Sequence, residues 1–253
     1  LEQHELKISA LDLDTLAQLA RHLPLSNQER QMLADFAPKG AVKDFSAQWE
    51  GSTPGAGNYR LRGKFADLAL QPQPARAAAA GNPAQSALPG FEGLSGQVDL
   101  NQQGGNVELN SAQSTLYLAD YFPDPVLPFD ALAVRASWSL REHNHLTVKI
   151  GSMQFSQSGL KGSLEGTHVL PLPFTPDKLG ELDLNVHVPS VELSKVARFL
   201  PSVTPALTRD WVAGALIDGR AHDVHILVKG DLDKFPFQPK HSADRPTGLF
   251  KIT

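Results

Sequence analysis

Two short histidine motifs hold the residues of this 253-residue chain that could bind a metal ion. The first, REHNH, places His143 and His145 two residues apart, so that on a strand both imidazoles would share a face. Zinc needs at least a third protein ligand, and the flanking Arg141 and Asn144 indicate a solvated turn. We therefore expect no metal at this motif.

The second motif, HDVH, contains His222, Asp223 and His225. Strict alternation along a strand would point His222 and His225 to opposite faces of a sheet, where one ion cannot reach both. We interpret the motif as surface polarity, and the sequence predicts neither a metal nor a cofactor.

Catalytic groups are also not predicted. Asp12 and Asp14 could act as an acid and base pair, but they lie directly before a helical stretch, which favours capping. The chain has no G-x-S-x-G elbow, no phosphate-binding glycine loop and no H-E-x-x-H zinc motif. We expect that the protein is not an enzyme.

Composition narrows the classes of partner. The net charge of -4 and the 20% of charged residues without long single-sign runs give no basis for binding nucleic acid. The chain has no cysteine, and no apolar run approaches the roughly 20 residues that span a bilayer. The chain begins without Met and ends in GLFKIT, which is typical of a strand that is just starting, so we expect a soluble segment of a longer protein.

Most of the chain alternates apolar and polar residues with a period of two, which predicts roughly a dozen strands in meandering antiparallel sheets. The stretches QQGGN, REHNH, SQSG and LEGT supply the Gly and Asn that tight turns need. A sheet face of a dozen strands would measure roughly 1,000 Å², more than soluble proteins leave bare. The sheet must pack on a second sheet, as in a sandwich, or curl into a trough that meets an apolar ligand, and composition alone favours the sandwich.

Two places read as helix pairs. LDLDTLAQLARHL, with Asp12 or Asp14 as its cap, is followed by a second helix that starts with a capping box at Ser26. SVELSKVARFL is followed by TPALTRDWVAGALIDG, with Thr204 as its cap. The two regions align as a repeat in which Gly40, Asp44 and Gly51 correspond to Gly219, Asp223 and Gly230. The expected units are residues 1–71 (first repeat), 72–87 (linker or loop), 88–188 (strands) and 189–253 (second repeat).

Three strings carry a family resemblance: PGFEGLSGQVDLNQQGGNVEL, LPFDALAVRASW and FLPSVTPALTRDWVAGALIDGRAHDVHILVKGDLDKFPF. They closely resemble the YhdP-type members of the AsmA-like family of Gram-negative envelope proteins, over nearly the whole chain. The resemblance implies a mostly β fold, in which a long curved antiparallel sheet forms an open, taco-shaped hydrophobic trough with two short helix pairs. It also implies a periplasmic location, an inner-membrane anchor formed by a helix outside this segment, and a role in moving phospholipids to the outer membrane.

The resemblance implies no catalytic residue, because the working part of this family is the groove lining, which maps onto alternating apolar positions. The expected partners are phospholipid and, through the full-length protein, the inner and outer membranes. A non-catalytic envelope scaffold with a self-packed β-sandwich core is the alternative, and a carbohydrate-active enzyme is a third. The candidate lining residues are Leu94, Val98, Leu100, Val107, Leu109, Leu116, Leu118, Val134, Trp138, Leu146, Val148, Ile150, Leu182, Leu184, Val186, Val188, Val224, Ile226 and Val228.

Overall fold

Among the described residues, eleven antiparallel strands form one sheet, in which each strand is hydrogen-bonded only to its neighbours in sequence. The fold class predicted from sequence is confirmed, since the chain is mostly β with an open sheet and a few short helices. The described strands form one sheet and not the two of a sandwich. The computed structural model describes residues 3–19, 26–51, 57–77, 87–119, 121–141, 144–175, 178–202, 204–235, 237 and 247–253.

The strands are β1 (Gln3–Asp12), β2 (Lys39–Glu50), β3 (Tyr59–Leu70), β4 (Gly90–Asn101), β5 (Gly104–Tyr117), β6 (Val126–Arg141), β7 (His145–Gln157), β8 (Leu160–Pro171), β9 (Glu181–Glu192), β10 (Arg220–Asp231) and β11 (Gly248–Ile252). The α-helices are α1 (Leu13–Leu19), α2 (Asn27–Phe36) and α3 (Ala206–Ala215), and 3₁₀ helices span Leu193–Phe199 and Leu232–Lys234. The turn predicted at LEGT is wrong. Gly166 lies inside β8 and pairs with Ile150 and Leu184, because a glycine can continue an extended strand as well as end it.

Apolar residues stay on one face of the sheet although the period-two alternation is interrupted. In β1, β2, β5, β6, β7 and β10 the alternation contains two consecutive exposed residues and then resumes. In β6, for example, Phe129 and Leu132 are both buried while Asp130 and Ala131 between them are exposed. Under strict alternation, residues three positions apart would lie on opposite faces of the sheet. In these strands, the two consecutive exposed residues keep the apolar residues before and after them on the same face.

The helices are short, and the cap predicted at Asp12 is confirmed. The capping box predicted at Ser26 stays a prediction. The Thr15 backbone N–H donates to Asp12 Oδ1 at 2.7 Å, which makes Asp12 the cap of α1. The cap predicted at Thr204 is wrong. Pro205 occupies the N-cap position of α3 without a side-chain hydrogen bond, because the helix begins one residue later, at Ala206.

The three α-helices, the 3₁₀ helix Leu193–Phe199 and the loop between β5 and β6 lie at one end of the sheet, since β1–β2, β5–β6 and β9–β10 are all joined at that end. Ser202 N–H donates to the Tyr121 carbonyl at 2.9 Å, and Arg198 forms an ion pair with Asp124 at 2.9 Å. From the same loop Phe122 packs against the apolar cluster of the sheet. This end of the apolar face is therefore covered.

The two copies of the predicted repeat share unusual backbone conformations. Gly40 and Gly219 have φ angles of 102° and 106°, and Asp44 and Asp223 have φ angles of 50° and 54°. Asp is one of the few non-glycine residues that enter this left-handed region readily. Most of the linker predicted at residues 72–87 lies outside the described residues, and the unit boundaries stay a prediction.

Close strand approach at Gly96 predicts a stability effect. A Cβ atom at Gly96 would lie 2.0 Å from the Glu108 carbonyl oxygen, whereas one at Gly151 would lie 3.7 Å from its nearest neighbour, the Arg135 carbonyl oxygen. We expect Gly96→Ala to lower the free energy of unfolding by about 1–3 kcal/mol, the usual cost of overpacking. Gly151→Ala is the matched control and should leave stability nearly unchanged in chemical denaturation. Equal effects of the two substitutions would contradict the register between β4 and β5.

Candidate functional site

The strand registers align the predicted lining residues in rows that cross the sheet. Three rows lie side by side across strands β3 to β11. The second row, in the middle, runs from Gly63 in β3 to Phe250 in β11, and the first and third rows flank it. Of the candidate residues, the first row holds Leu100, Trp138, Val148 and Leu182, the second Val98, Val107, Ile150, Leu184 and Val228, and the third Leu109, Val134, Val186 and Ile226.

The remaining candidates extend this surface toward the two ends of the strands. Val188 pairs with Val224, and Leu94 pairs with Leu68. Leu116 pairs with both Phe91 and Leu127, and Leu146 with both Leu140 and Leu170. Leu118 follows β5 and packs against the apolar cluster. The candidate residues predicted from sequence omitted Leu61, Phe65, Met153 and Leu164, which lie in the same three rows. They also omitted Phe155, which pairs with Leu132 nearer the helical end of the sheet.

The apolar face is only half-buried. Of the nineteen candidate residues, Leu94 and Val188 are buried, at 7% and 8% exposure, and the other seventeen are half-buried. In a sandwich, a facing sheet would remove such side chains from water almost completely. The total accessible surface of 16,412 Å² also exceeds the roughly 10,900 Å² typical of a compact monomer of this mass. Among the described residues, most of the apolar face therefore has no protein layer opposite it.

A small core exists where the helical end covers the sheet. Leu94, Leu127, Phe129 and Leu132 form a buried cluster, and Leu132 is only 2% exposed. The rings of Phe129 and Phe155 meet edge to face, with centroids 6.2 Å apart. This cluster fixes one end of the apolar face and leaves the rest of it open.

Large aromatic side chains on this face lie over glycines in neighbouring strands. A Cβ atom at Gly105 would lie 2.6 Å from Trp138 Cζ2, and one at Gly162 would lie 2.5 Å from Phe155 Cζ. Because glycine has no side chain, each ring can lie against the backbone of the neighbouring strand. The aromatic rings therefore protrude less from the apolar face.

The opposite face is polar and pairs its charges across strands. Asp99 accepts from Arg60 and Arg62 at 2.8–3.0 Å, and Lys229 lies 2.7 Å from Asp183. The hydrogen bond from Arg60 lowers the pKa of Asp99 below its usual value. These pairs are largely exposed, so they contribute solubility more than stability.

Three titratable side chains come together on this polar face. His187 Nε2 donates to Asp223 Oδ1 at 3.0 Å, and His225 Nε2 lies 3.3 Å from the same oxygen. The hydrogen bond from His187, together with the nearby His225, lowers the pKa of Asp223.

The two histidine motifs did not predict this cluster, because His187 is distant in sequence from Asp223 and His225. The prediction that His222 and His225 lie on opposite faces is wrong. Both are exposed, since the alternation of β10 is interrupted at His222 and Asp223. His143 of the first motif lies outside the described residues.

The comparisons with known proteins give one match. The family model described as YhdP protein matches residues 2–253. The chain belongs to the YhdP family. No curated protein and no solved structure matches it.

Membership of the YhdP family indicates a protein of the cell envelope whose role is related to lipid transport. The family is not known for enzymatic activity. None of the described helices is long and apolar enough to cross a membrane. The half-buried apolar face is the feature of the fold that matches a lipid-related role.

One part of the apolar face is covered and the rest is open. Shortening an apolar side chain should therefore lower the free energy of unfolding more in the covered part than in the open part. Leu132→Ala removes a buried side chain and should lower the free energy of unfolding by about 2–5 kcal/mol. Val186→Ala, on the open part, should lower it by about 1 kcal/mol or less, because its side chain already contacts solvent. Chemical denaturation of both variants checks this, and an equally large loss for Val186→Ala would indicate a packed layer over that residue.

Proposed function

We propose that this chain is a segment of a periplasmic conduit that moves phospholipids between the inner and outer membranes. The acyl chains lie against the apolar face and the head groups stay toward solvent. The observation that carries the proposal is the set of half-buried apolar rows on a single-layer sheet that no other described part of the chain faces. Membership of the YhdP family supports it.

The energetics of lipid transfer fit an apolar surface of this kind. Each methylene removed from water is worth about 0.8 kcal/mol, so two acyl chains with about 30 carbons in all would cost about 24 kcal/mol to carry through water. A surface of Leu, Val, Ile and aromatic side chains removes most of that cost. Covering this surface with lipid is also favourable in free energy, because its apolar side chains remain partly hydrated without a ligand.

The direction of the rows gives the conduit its axis. The three rows cross nine strands, from β3 to β11, which corresponds to about 38 Å at the usual strand spacing. The rows consist mostly of apolar side chains, with glycines among them and His168 in the first row. An acyl chain can therefore contact several apolar positions in turn and slide from one to the next.

The proposal does not require a tight binding site for a head group. Small-molecule sites are usually concave, with a few convergent polar groups. Among the described residues, the candidate lining contains only apolar side chains. A conduit that discriminates weakly among lipids is the expected result.

Site-specific crosslinking tests which face meets lipid. A photo-crosslinking amino acid placed at Val186, on the apolar face, should yield lipid adducts in living Gram-negative cells, detected by mass spectrometry of the purified protein. The same amino acid at the adjacent Asn185, which is exposed on the polar face, is the matched control and should yield few. Adducts at neither position in a folded protein would favour the scaffold alternative.

A charged substitution on the apolar face tests whether lipid passes over this face. Val186→Glu should block lipid passage, because an unpaired carboxylate in contact with hydrocarbon costs several kcal/mol. Folding should be affected less, since the side chain is only half-buried. Asn185→Glu on the polar face is the control and should leave both unchanged. If Val186→Glu abolishes folding and passage together, Val186 belongs to a packed core.

A further inference from the structure

The polar face carries a cluster of three metal-ligating side chains that the conduit does not use. The cluster consists of His187 from β9 and of Asp223 and His225 from β10. Both imidazole Nε2 atoms approach the same carboxylate oxygen, at 3.0 and 3.3 Å, and the three donor atoms lie within 4.8 Å of one another. The three donor atoms therefore lie close together at the surface of the sheet.

The backbone explains why these side chains meet. His187 and His225 are directly opposite each other in the β9–β10 ladder, and their rings stack with centroids 4.5 Å apart. Asp223 has a φ angle of 54° at the interruption of the alternation, which makes it a second exposed residue next to His222. The arrangement thus depends on a cross-strand register and on one left-handed residue.

The first repeat provides an internal comparison. Asp44 corresponds to Asp223 and has nearly the same φ angle, but the cross-strand pair equivalent to His187 and His225 is Lys7 and Ser46. Asp44 there forms an ion pair with Lys64 at 2.9 Å. The left-handed Asp is therefore part of the repeated scaffold, and the two imidazoles occur only in the second copy. The scaffold alone does not account for the histidines.

The donor set and its spacing suit a particular ion. Zn²⁺ binds imidazole nitrogen and carboxylate oxygen at about 2.0–2.2 Å, so neighbouring donors around a tetrahedral ion lie about 3.3–3.5 Å apart. The two nitrogen to oxygen distances of 3.0 and 3.3 Å are close to this value. Two imidazoles and a carboxylate without a thiolate also fit Cu²⁺ and Ni²⁺, whereas Mg²⁺ and Ca²⁺ prefer oxygen ligands.

We propose that His187, Asp223 and His225 bind a divalent transition metal ion, with Zn²⁺ as the best match. Each imidazole then carries its proton on Nδ1 and offers the Nε2 lone pair, and the fourth position is open to water. The ion links β9 to β10 close to the point where the chain leaves the sheet for the 3₁₀ helix Leu193–Phe199 and for α3. It stabilises the pairing of the strands that carry the second helical excursion.

Zinc titration of the untagged protein tests the proposal, because a polyhistidine tag would bind the ion itself. Competition against a chromophoric chelator should give one Zn²⁺ per chain, and His187→Ala, His225→Ala and Asp223→Asn should each weaken binding at least about tenfold. His222→Ala is the matched control, since it removes an exposed histidine of the same strand outside the cluster, and it should leave affinity unchanged.

Two further measurements separate a specific site from general surface binding. Co²⁺ should give the visible absorption of a tetrahedral complex in the wild type and in His222→Ala, and not in His187→Ala. Zn²⁺ should raise the thermal midpoint of the wild type and leave that of Asp223→Asn unchanged. Absence of binding, or binding that is weakened equally by His187→Ala and His222→Ala, would overturn the proposal. Circular dichroism of each variant verifies that the fold is retained.

Discussion

In the part of the chain that the structure describes, the apolar face of a single-layer sheet has no protein layer opposite it along most of its length. The eleven strands satisfy one another's backbone hydrogen bonds in sequence order, and the two outer strands, β1 and β11, are open edges among the described residues. The sheet therefore needs no second layer for its backbone. Its side chains do need one, because water is a poor solvent for rows of Leu, Val and Ile.

The interruptions of the alternation follow from the same constraint. Strict alternation would place residues three positions apart, such as Phe129 and Leu132, on opposite faces of the sheet. Two consecutive exposed residues reset the strand, and at Asp44, Gln113 and Asp223 the second of them adopts a positive φ angle. The result is a surface that stays apolar on one side and polar on the other. It also places the Asp223 carboxylate beside two imidazoles.

The two repeats show how one scaffold carries different chemistry. Both copies insert helices between neighbouring antiparallel strands at the same end of the sheet, and both place a left-handed Asp four residues after a left-handed Gly. The first copy pairs that Asp with Lys64. The second surrounds it with His187 and His225. Substitutions on the polar face therefore change the chemistry without disturbing the apolar rows behind them.

The sequence by itself determined the local structure and the family. Period-two alternation predicted antiparallel strands, the leucine spacing after Asp12 predicted a capped helix, and the ordered motifs carried the YhdP resemblance. These features depend on neighbours within a few residues, which the sequence contains directly. Strict alternation failed at Phe129 and Leu132 and at His222 and His225, because the interruptions are not visible in residue type alone.

Only the tertiary structure decided what each face meets. Whether Val186 and Ile226 face another sheet or open space depends on how eleven strands are arranged together, and no single strand encodes it. The contact of His187 with Asp223 likewise depends on the register between β9 and β10 and on one backbone angle. Such long-range pairings arise from the combined packing and hydrogen bonding of the whole sheet, which is why local pattern alone could not predict them.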